Sequence, residues 1–318
     1  MTELLTYDED LFLPPLGLWL DPGRIKDLAF ISHAHADHTG RHKSIIATPP
    51  TARMIEHRLQ VQVDRIVDFG TPFPVGEGQV TLYPSGHILG AAQALVEWHN
   101  ERLLYTGDFK IIPSRTAEPC QVVECDHLIM ECTYGRPHYR FPNRDSVERE
   151  LMSYIEKVLE RKEVPIILAY VLGRSQELLK LLTENGIPVA VENRIYDMSK
   201  IYEEEGVSFG SYERFDPNDY HDRVLLFPPH LWKSPVVRNI RDRRTIAVTG
   251  WAIDGRQQAW YSTDEAFPLS DHADFEDLLR YIEMAKASKV SLIHGFQEFA
   301  DHLQNIGIET HIIADLLT

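Results

Sequence analysis

The feature that most constrains this chain is a run of three histidines and one aspartate within six residues, in Ser32-His33-Ala34-His35-Ala36-Asp37-His38. The run follows a short apolar stretch, Leu28–Ser32, whose composition predicts a strand. Neutral imidazoles and carboxylates are good ligands for Zn²⁺ and related divalent ions. In a tight loop the His-x-His pair turns two imidazoles towards one ion, and the following Asp-His pair can reach a second. The run therefore predicts a metal site at the end of a strand.

One loop cannot fill the coordination shells of two ions, so the fold must supply further ligands from other strand ends. His87 lies between glycines, which permit close approach of the backbone. Asp108 and His294 each follow a predicted strand. Any one of these residues alone would be more typical of a structural role. Beside the histidine run, all three become candidate metal ligands.

The spacing of apolar residues divides the chain into two kinds of structure. Residues 1–135 alternate short strands with turns. Residues 136–267 alternate strands with amphipathic helices, the first of which, Arg144–Lys162, repeats an apolar residue every four positions. This alternation predicts a parallel sheet with covering helices. Residues 268–318 return to motif-bearing segments and contain a predicted helix, Asp274–Lys286. The prediction is an α/β fold with one domain interrupted by an inserted one.

Composition excludes several classes of protein. A length of 318 residues suits two domains, or one domain with a large insertion. The net charge of -16 argues against a generally basic coat protein for nucleic acid, although bound cations are not part of that count. Cys120, Cys125 and Cys132 lack paired spacing, which predicts reduced thiols. The acidic start and the absence of a run of about 18 apolar residues predict a cytoplasmic protein without membrane contact.

The order of Asp21, the histidine run, His87 and Asp108 resembles the motif series of the metallo-β-lactamase superfamily. The resemblance implies an αββα sandwich with a site for two divalent ions, zinc first and manganese as the second choice. Asp21 would orient ligands without binding an ion itself. The resemblance implies two ligand sets and one bridging carboxylate: His33, His35 and His87 for one ion, Asp37, His38 and His294 for the other, and Asp108 between them.

Three further segments resemble motifs A, B and C of the β-CASP nucleases within that superfamily. They surround Glu131, His272 and His294, and the insertion 136–267 lies where that family carries its α/β cap domain. The resemblance covers nearly the whole chain. It implies metal-dependent hydrolysis of phosphodiester bonds in nucleic acid by an αββα core with an inserted β-CASP cap.

The candidate catalytic residues are Asp37, His272 and Glu131. His272 would act as a general acid, or as a hydrogen-bond donor to the charge that develops. Glu131 would hold and orient the imidazole of His272. The structural alternatives are a capping role for Glu131 and an outer or surface position for His272.

Cationic side chains suggest where nucleic acid would bind, in a cleft between core and cap. The main candidates are Arg136 and Arg140 after motif A, with Arg174 and Ser175 at a predicted helix start that could cradle a phosphate through backbone amides. Further candidates have structural alternatives of similar weight: His138, the run Arg238–Arg244 as a solvated helix face, and Tyr134 or Tyr139 as core residues.

The sequence favours DNA over RNA only slightly. The segments Tyr134–Arg140 and Ala169–Arg174 resemble bacterial exonucleases associated with DNA ligases, which favours a DNA exonuclease in repair and a functional association with a ligase. The histidine of motif C and the segment Gly173–Leu178 equally resemble the RNA 3′-end-processing branch. A thioesterase or lactonase would explain the ligands but not motifs A and B. A binding subunit without catalysis would usually lack ligands, and none is missing.

Overall fold

The computed structural model describes residues 3–254 and 263–313, and the chain divides into two compact units. The first combines Met1–Arg140 with His272–Thr318, and the second is Phe141–Asp271. The insertion predicted from the sequence, residues 136–267, differs from this second unit by a few residues at each end. Among the described residues, no helix has the length and apolar character needed to cross a bilayer.

The first unit begins with strands arranged around one crossover helix. The structure has β1 (Thr6–Asp8), β2 (Asp10–Leu13), β3 (Leu18–Leu20), β4 (Ala29–Phe30), β5 (Ile45–Ala47), α1 (Pro49–Leu59), β6 (Arg65–Ile66), β7 (Phe73–Val75), β8 (Gly78–Pro84), β9 (Ala92–Trp98), β10 (Glu101–Tyr105) and β11 (His127–Cys132).

The second unit alternates strands with helices, as its apolar periodicity predicts. It contains α2 (Arg144–Glu160), β12 (Val164–Leu168), α3 (Arg174–Glu184), β13 (Val189–Val191), α4 (Asn193–Glu204), β14 (Tyr212–Arg214), β15 (Val224–Phe227), α5 (Pro235–Arg238), β16 (Arg243–Val248) and β17 (Glu265–Phe267). The chain then returns to the first unit with α6 (Phe275–Ala285), β18 (Lys289–Gly295), α7 (Gln297–Asn305) and β19 (Glu309–Ile312).

The first unit is a sandwich of two sheets. Strands β1 to β6 form one sheet in chain order, and the other has the order β19-β18-β11-β10-β9-β8-β7. The inner faces share a core that includes Leu18 and Phe30 from one sheet and Val80 and Tyr105 from the other. Because β5 and β6 are parallel, α1 crosses between them on the outer face.

Helices α6 and α7 cover the outer face of the second sheet, where Leu278 and Phe299 pack against Leu104 and Leu292. The helix–sheet–sheet–helix layering is the αββα sandwich expected from the sequence. Strands β10, β11 and β18 are parallel neighbours. Their carboxyl ends therefore meet at one edge of the sheet, and the segments that follow them can form one site.

The second unit is built on a fully parallel sheet with the order β14-β13-β15-β12-β16-β17. Helices α2, α3 and α4 cover one face, with Leu151, Leu178 and Ile195 in its core. The other face packs against Val237 and Ile240, which belong to the connection between β15 and β16. The predicted parallel sheet with covering helices is confirmed. The run Arg238–Arg244 is not one helix face, because α5 ends at Arg238 and β16 begins at Arg243.

Candidate metal centre

The histidine-rich loop begins where β4 ends, and neighbouring strands hold its backbone. Ile31 N donates to Ile46 O (3.0 Å), and Ala92 N donates to Ser32 O (2.8 Å). Ala34, between the first two histidines, is 0% exposed. A larger side chain would have no room there, so this alanine lets the loop pack against the sheets.

Two glycines permit the close approach of the other ligand segments. Gly107 has φ +54, and a Cβ there would lie 2.6 Å from the Cβ of Ser32. Gly86 has φ +79, and its Cβ would collide with a backbone oxygen at 2.2 Å. Only glycine adopts such conformations without strain. The residues that follow, Asp108 and His87, are thereby brought next to the histidine loop.

Three imidazoles converge at this point. The Nδ1 atom of His35 lies 3.0 Å from Nε2 of His33 and 3.1 Å from Nε2 of His87. His33 is 0% exposed and His87 is 1% exposed. Together with Asp108, these three residues offer ligand atoms that all lie within 4.8 Å of one another. The structure therefore brings together the set predicted for the first ion.

One carboxylate oxygen of Asp108 lies between the two predicted ligand sets. Its Oδ2 is 3.4 Å from Nε2 of His33, 3.7 Å from Nε2 of His87 and 3.5 Å from Nε2 of His38. The other members of the second set, Asp37 and His294, are exposed and do not form a ligand group with His38 in the structure. Asp37 Oδ2 lies 4.0 Å from Nε2 of His38, and the ring of His294 is centred 5.8 Å from that of His38.

Asp21, predicted to orient ligands, contacts His38 in the structure. Its Oδ2 lies 2.8 Å from Nδ1 of His38, so that the Nε2 atom of the same ring faces Asp108. Ser32 N donates to Asp21 Oδ1 at 2.7 Å, and the Ser32 hydroxyl donates to Oδ2. Tyr105 OH donates to Oδ2 at 2.8 Å. These contacts hold the imidazole of His38 in one orientation.

Tyr105 and Ser32 contact Asp21, and sequence reasoning gave neither of them a role. Tyr105 ends β10 and is 1% exposed, so its apolar neighbours predict a core residue. Burial, together with Asp21, raises its pKa well above the usual value, and its hydroxyl stays a donor. The only sequence signal was its position three residues before Asp108.

The electrostatics of the cluster suit a cation. Burial lowers the pKa of His33 well below its usual value, with a further contribution from His38. Burial opposes charge on His38 as well, but Asp108 and Asp21 outweigh it and raise its pKa well above the usual value. Burial also opposes charge on Asp108, but His38 and His272 hold its pKa well below the usual value. Asp108 is thus an anion at neutral pH, and an ion that binds His38 must displace its proton.

The donor spacing fits a divalent ion. Ligands at the usual Zn–N distance of about 2.0–2.1 Å, placed tetrahedrally, lie roughly 3.3 Å apart. The two imidazole pairs at 3.0 and 3.1 Å and the nitrogen–carboxylate pair at 3.4 Å bracket that value. Three imidazole nitrogens and one carboxylate are a ligand set that zinc accepts. The residues present therefore fit a divalent-metal centre.

Glu131 and His272 form a hydrogen-bonded pair beside this centre. Nδ1 of His272 lies 2.8 Å from Oε1 of Glu131, which is 0% exposed. Phe109 N donates to the same oxygen at 3.4 Å, and Thr133 N donates to Oε2 at 2.9 Å. The ring of His272 is centred 4.7 Å from that of His87. The structure brings motifs A and B together with the first ligand set.

The arginines after motif A make contacts within the first unit. Arg136 pairs with Glu298 at 2.9 Å and lies over the ring of Phe296. Arg140 is exposed and pairs with Glu276 at 2.6 Å. Ion pairs near solvent are weak, so another anion can replace the carboxylate in such a pair. Tyr134 and Tyr139 are 3% and 1% exposed, so they are core residues rather than platforms for a base.

The expected phosphate cradle at Arg174 and Ser175 is opposed by the structure. Arg174 is 2% exposed, and its guanidinium lies 3.0 Å from Asp271 and 3.6 Å from Glu177. The Ser175 hydroxyl donates to Tyr170 O. The backbone amides of Arg174 and Ser175 donate to carbonyls of the preceding loop. Both residues have their hydrogen-bonding capacity directed inside the second unit, so we assign them a structural role instead.

Comparisons with known proteins agree with this geometry. A family described as the RMMBL Zn-dependent metallo-hydrolase RNA specificity domain matches residues 265–313, which include His272 and His294. The chain is similar to a crystal structure of a protein of unknown function from Enterococcus faecalis V583, with a TM-score of 0.63 and 14% identity over 91% of this chain and 79% of that one. At that identity, the similarity shows the fold alone.

Three relatives cover most of the chain. A "Probable DNA ligase" from Opitutus terrae is 40% identical over 97% of this chain, which spans only 31% of that protein's length. An "RNase J-like protein" from Methanocaldococcus jannaschii is 24% identical, covering 85% of this chain and 81% of the relative. "5' exonuclease Apollo" from Gallus gallus is 28% identical, covering 83% and 57%. With the αββα fold, the inserted α/β unit and the motif A and B pair, these similarities show that the chain belongs to the β-CASP branch of the metallo-β-lactamase superfamily.

Proposed function

We propose that this protein is a metal-dependent phosphodiesterase that hydrolyses nucleic acid, and that it is an exonuclease on DNA. The observation that carries the proposal is the Glu131–His272 pair beside the histidine and aspartate cluster. A metal cluster alone would serve many kinds of hydrolase. A buried carboxylate that holds an imidazole beside the cluster adds a proton donor, which an alkoxide leaving group requires.

The side chains of the site divide the work. Two divalent ions, with zinc the first choice, would supply a Lewis acid for the phosphate and an activated water at neutral pH. His33, His35 and His87 would hold one ion, with Asp108 shared between the two. Asp37, His38 and His294 would hold the second ion.

His272 is the proposed proton donor to the leaving oxygen. Nδ1 of His272 lies 2.8 Å from Oε1 of Glu131, and this contact holds the imidazole in one orientation. Because Glu131 also accepts two backbone N–H groups, its position is fixed before substrate binds. Such preorganisation is the protein's main contribution to stabilising developing charge. Arg136 and Arg140, near the surface beside motif A, are proposed to contact phosphates.

The relatives support both kinds of nucleic acid. The names of the Opitutus and Gallus proteins point to DNA ligation and to 5′ exonuclease activity. The matched RNA specificity domain and the RNase J-like relative favour RNA, which is the alternative substrate. We rank DNA first because the Opitutus relative has the highest identity of the three. Its name also motivates a proposed functional association with a DNA ligase.

The test compares one sequence supplied as single-stranded DNA and as RNA, each with a label at the 5′ end. Zinc-loaded and manganese-loaded protein are assayed after measurement of bound metal by mass spectrometry. Faster turnover of DNA, released from an end, supports the proposal, and faster turnover of RNA selects the alternative. Metal-loaded protein that leaves both polymers intact while hydrolysing a thioester would overturn the nuclease assignment.

A further inference from the structure

The connection between β15 and β16 in the second unit carries an unusual surface charge. We define residues 229–243 as the basic segment. It contains Lys233, Arg238, Arg241 and Arg243 against one acidic residue, Asp242, a net charge of +3 in a chain whose net charge is -16. None of these residues belongs to the metal centre.

The basic segment is a rigid platform. Two of its apolar side chains, Val237 and Ile240, are buried against Leu225 and Phe227 of the sheet. Ser234 caps α5 by accepting a hydrogen bond from Val237 N at 3.4 Å. The backbone of the segment is therefore already ordered in the folded protein, so binding of a partner loses no further backbone conformational entropy there.

Arg243 braces the platform from within. Its guanidinium donates to the carbonyl oxygens of Arg238 (3.1 Å) and Ile240 (3.0 Å). These bonds hold the turn that joins α5 to β16. The remaining three cations, Lys233, Arg238 and Arg241, project from a fixed backbone and are all exposed.

These three cations lack acidic partners within the part of the chain that the structure describes. Several other basic residues of the same unit are paired: the exposed Lys162 with Asp222 (3.2 Å), the partly buried Lys200 with Glu203 (2.6 Å) and the exposed Arg214 with Asp197 (2.7 Å). Lys233 lies instead over the ring of Trp232, at 4.5 Å. Carboxylates are abundant in this chain, so three exposed cations without an acidic partner make the segment a natural place for an external anion.

We propose that the basic segment binds the sugar–phosphate backbone of a nucleic-acid substrate, as a binding site additional to the metal centre. This inference rests on the proposed function. A row of separate cations on a fixed scaffold suits successive phosphates and reads no base sequence. It gives a nuclease of acidic net charge a local attraction for a polyanion.

The matched variants differ only in whether the removed charge was paired. The test triple is Lys233→Gln, Arg238→Gln and Arg241→Gln. The control triple is Lys162→Gln, Lys200→Gln and Arg214→Gln. Both remove three positive charges from the exposed surface of the same unit. Thermal unfolding and metal content of both triples identify any variant that fails to fold, and single substitutions then replace that triple.

Binding is measured as the anisotropy of a fluorescein-labelled 20-nucleotide DNA strand, with metal-loaded protein, between 0.05 and 0.3 M KCl. To stop cleavage, all three proteins carry His272→Ala. Each phosphate contact on a single strand contributes a slope of about 0.7 in log K against log salt. Loss of three contacts should flatten the slope by about 2 and weaken binding by up to roughly 100-fold at 0.1 M salt. The control triple should retain the slope of the parent.

A second readout separates this inference from the proposed function. This readout uses proteins that keep His272. The test triple should leave the hydrolysis of bis(p-nitrophenyl) phosphate unchanged, because this small substrate contacts only the metal centre. Equal salt slopes for the two triples, or a parent that does not bind the strand, would overturn the inference. If the expected slope change is found but the parent with His272 restored never cleaves, the inference stands and the nuclease proposal is overturned.

Discussion

The Glu131→Gln substitution tests the proposed proton donor most directly. Glu131 is 0% exposed and accepts three hydrogen bonds, two of them from backbone amides. A glutamine offers only one acceptor oxygen. With that oxygen on Thr133 N, its NH₂ group faces Nδ1 of His272, which must then act as the acceptor. The proton moves to the other ring nitrogen, and the imidazole loses the charged partner that stabilises its protonated form.

The size of the effect follows from this lost contact. A hydrogen bond to a charged group is worth about 1.5–3 kcal/mol, and each 1.4 kcal/mol corresponds to roughly a factor of ten. We expect kcat on an oligonucleotide to fall by about 10- to 150-fold. The rate with bis(p-nitrophenyl) phosphate should change by less than about threefold, because its leaving group departs without a proton.

Two controls make the test specific. Glu118 also accepts a backbone amide, from Gly90 at 2.9 Å, and Glu118→Gln should show no dependence on the leaving group. Adding Glu131→Gln to His272→Ala should cause little further loss, since residues that act as a unit are not additive. Equal losses of rate on both substrates, or multiplying effects in the double variant, would refute the reasoning. Metal content must stay unchanged throughout.

Two further substitutions test the orienting contacts and the helix that follows motif B. Tyr105→Phe removes the hydroxyl that donates to Asp21, and we expect metal affinity to weaken about 10- to 100-fold. Competition with a chromophoric chelator measures this affinity, and an unchanged affinity for every bound ion would contradict the prediction. Asp277→Asn tests a carboxyl in the first turn of α6, where burial, with Asp274 adding to it, raises the pKa to about 6. A raised pKa means that the folded state loses stability as pH rises from about 4 through 6. The melting temperature of the variant relative to the parent should therefore increase over that range, and a constant difference would contradict the assignment.

The convergence of the metal ligands could be predicted because each ligand follows a strand. Asp108 follows β10 and His294 lies near the end of β18, and parallel neighbours bring the ends of β10, β11 and β18 to one edge. Apolar runs locate such strands better than their ends, since β18 extends past His294 to Gly295. The helix α7, Gln297–Asn305, was not predicted, because nine residues give too few turns for a clear periodicity.

The contacts that orient the ligands could not be predicted in the same way. Tyr105 donates to Asp21 across 84 residues of sequence. Nothing in the local pattern around Tyr105 distinguishes an aromatic core residue from one whose hydroxyl meets a buried carboxylate. Pairs of this kind depend on how the sheet that contains β3, which precedes Asp21, packs against the sheet that contains β10, and only the assembled sandwich fixes that packing.

Arg174 and the basic segment show why residue type alone misplaces a phosphate site. A buried guanidinium has lost its hydration and needs carboxylates in place to offset that loss. Arg174 has them in Asp271 and Glu177, and a phosphate could bind it only by displacing those partners and leaving their charges unpaired. Lys233, Arg238 and Arg241 keep their hydration, and no carboxylate in the described parts of the chain pairs with them. For these three, an incoming phosphate replaces only water and mobile counterions, whose release favours binding. Exposure and the absence of a partner, more than the presence of an arginine at a helix start, therefore indicate where a polyanion can be held.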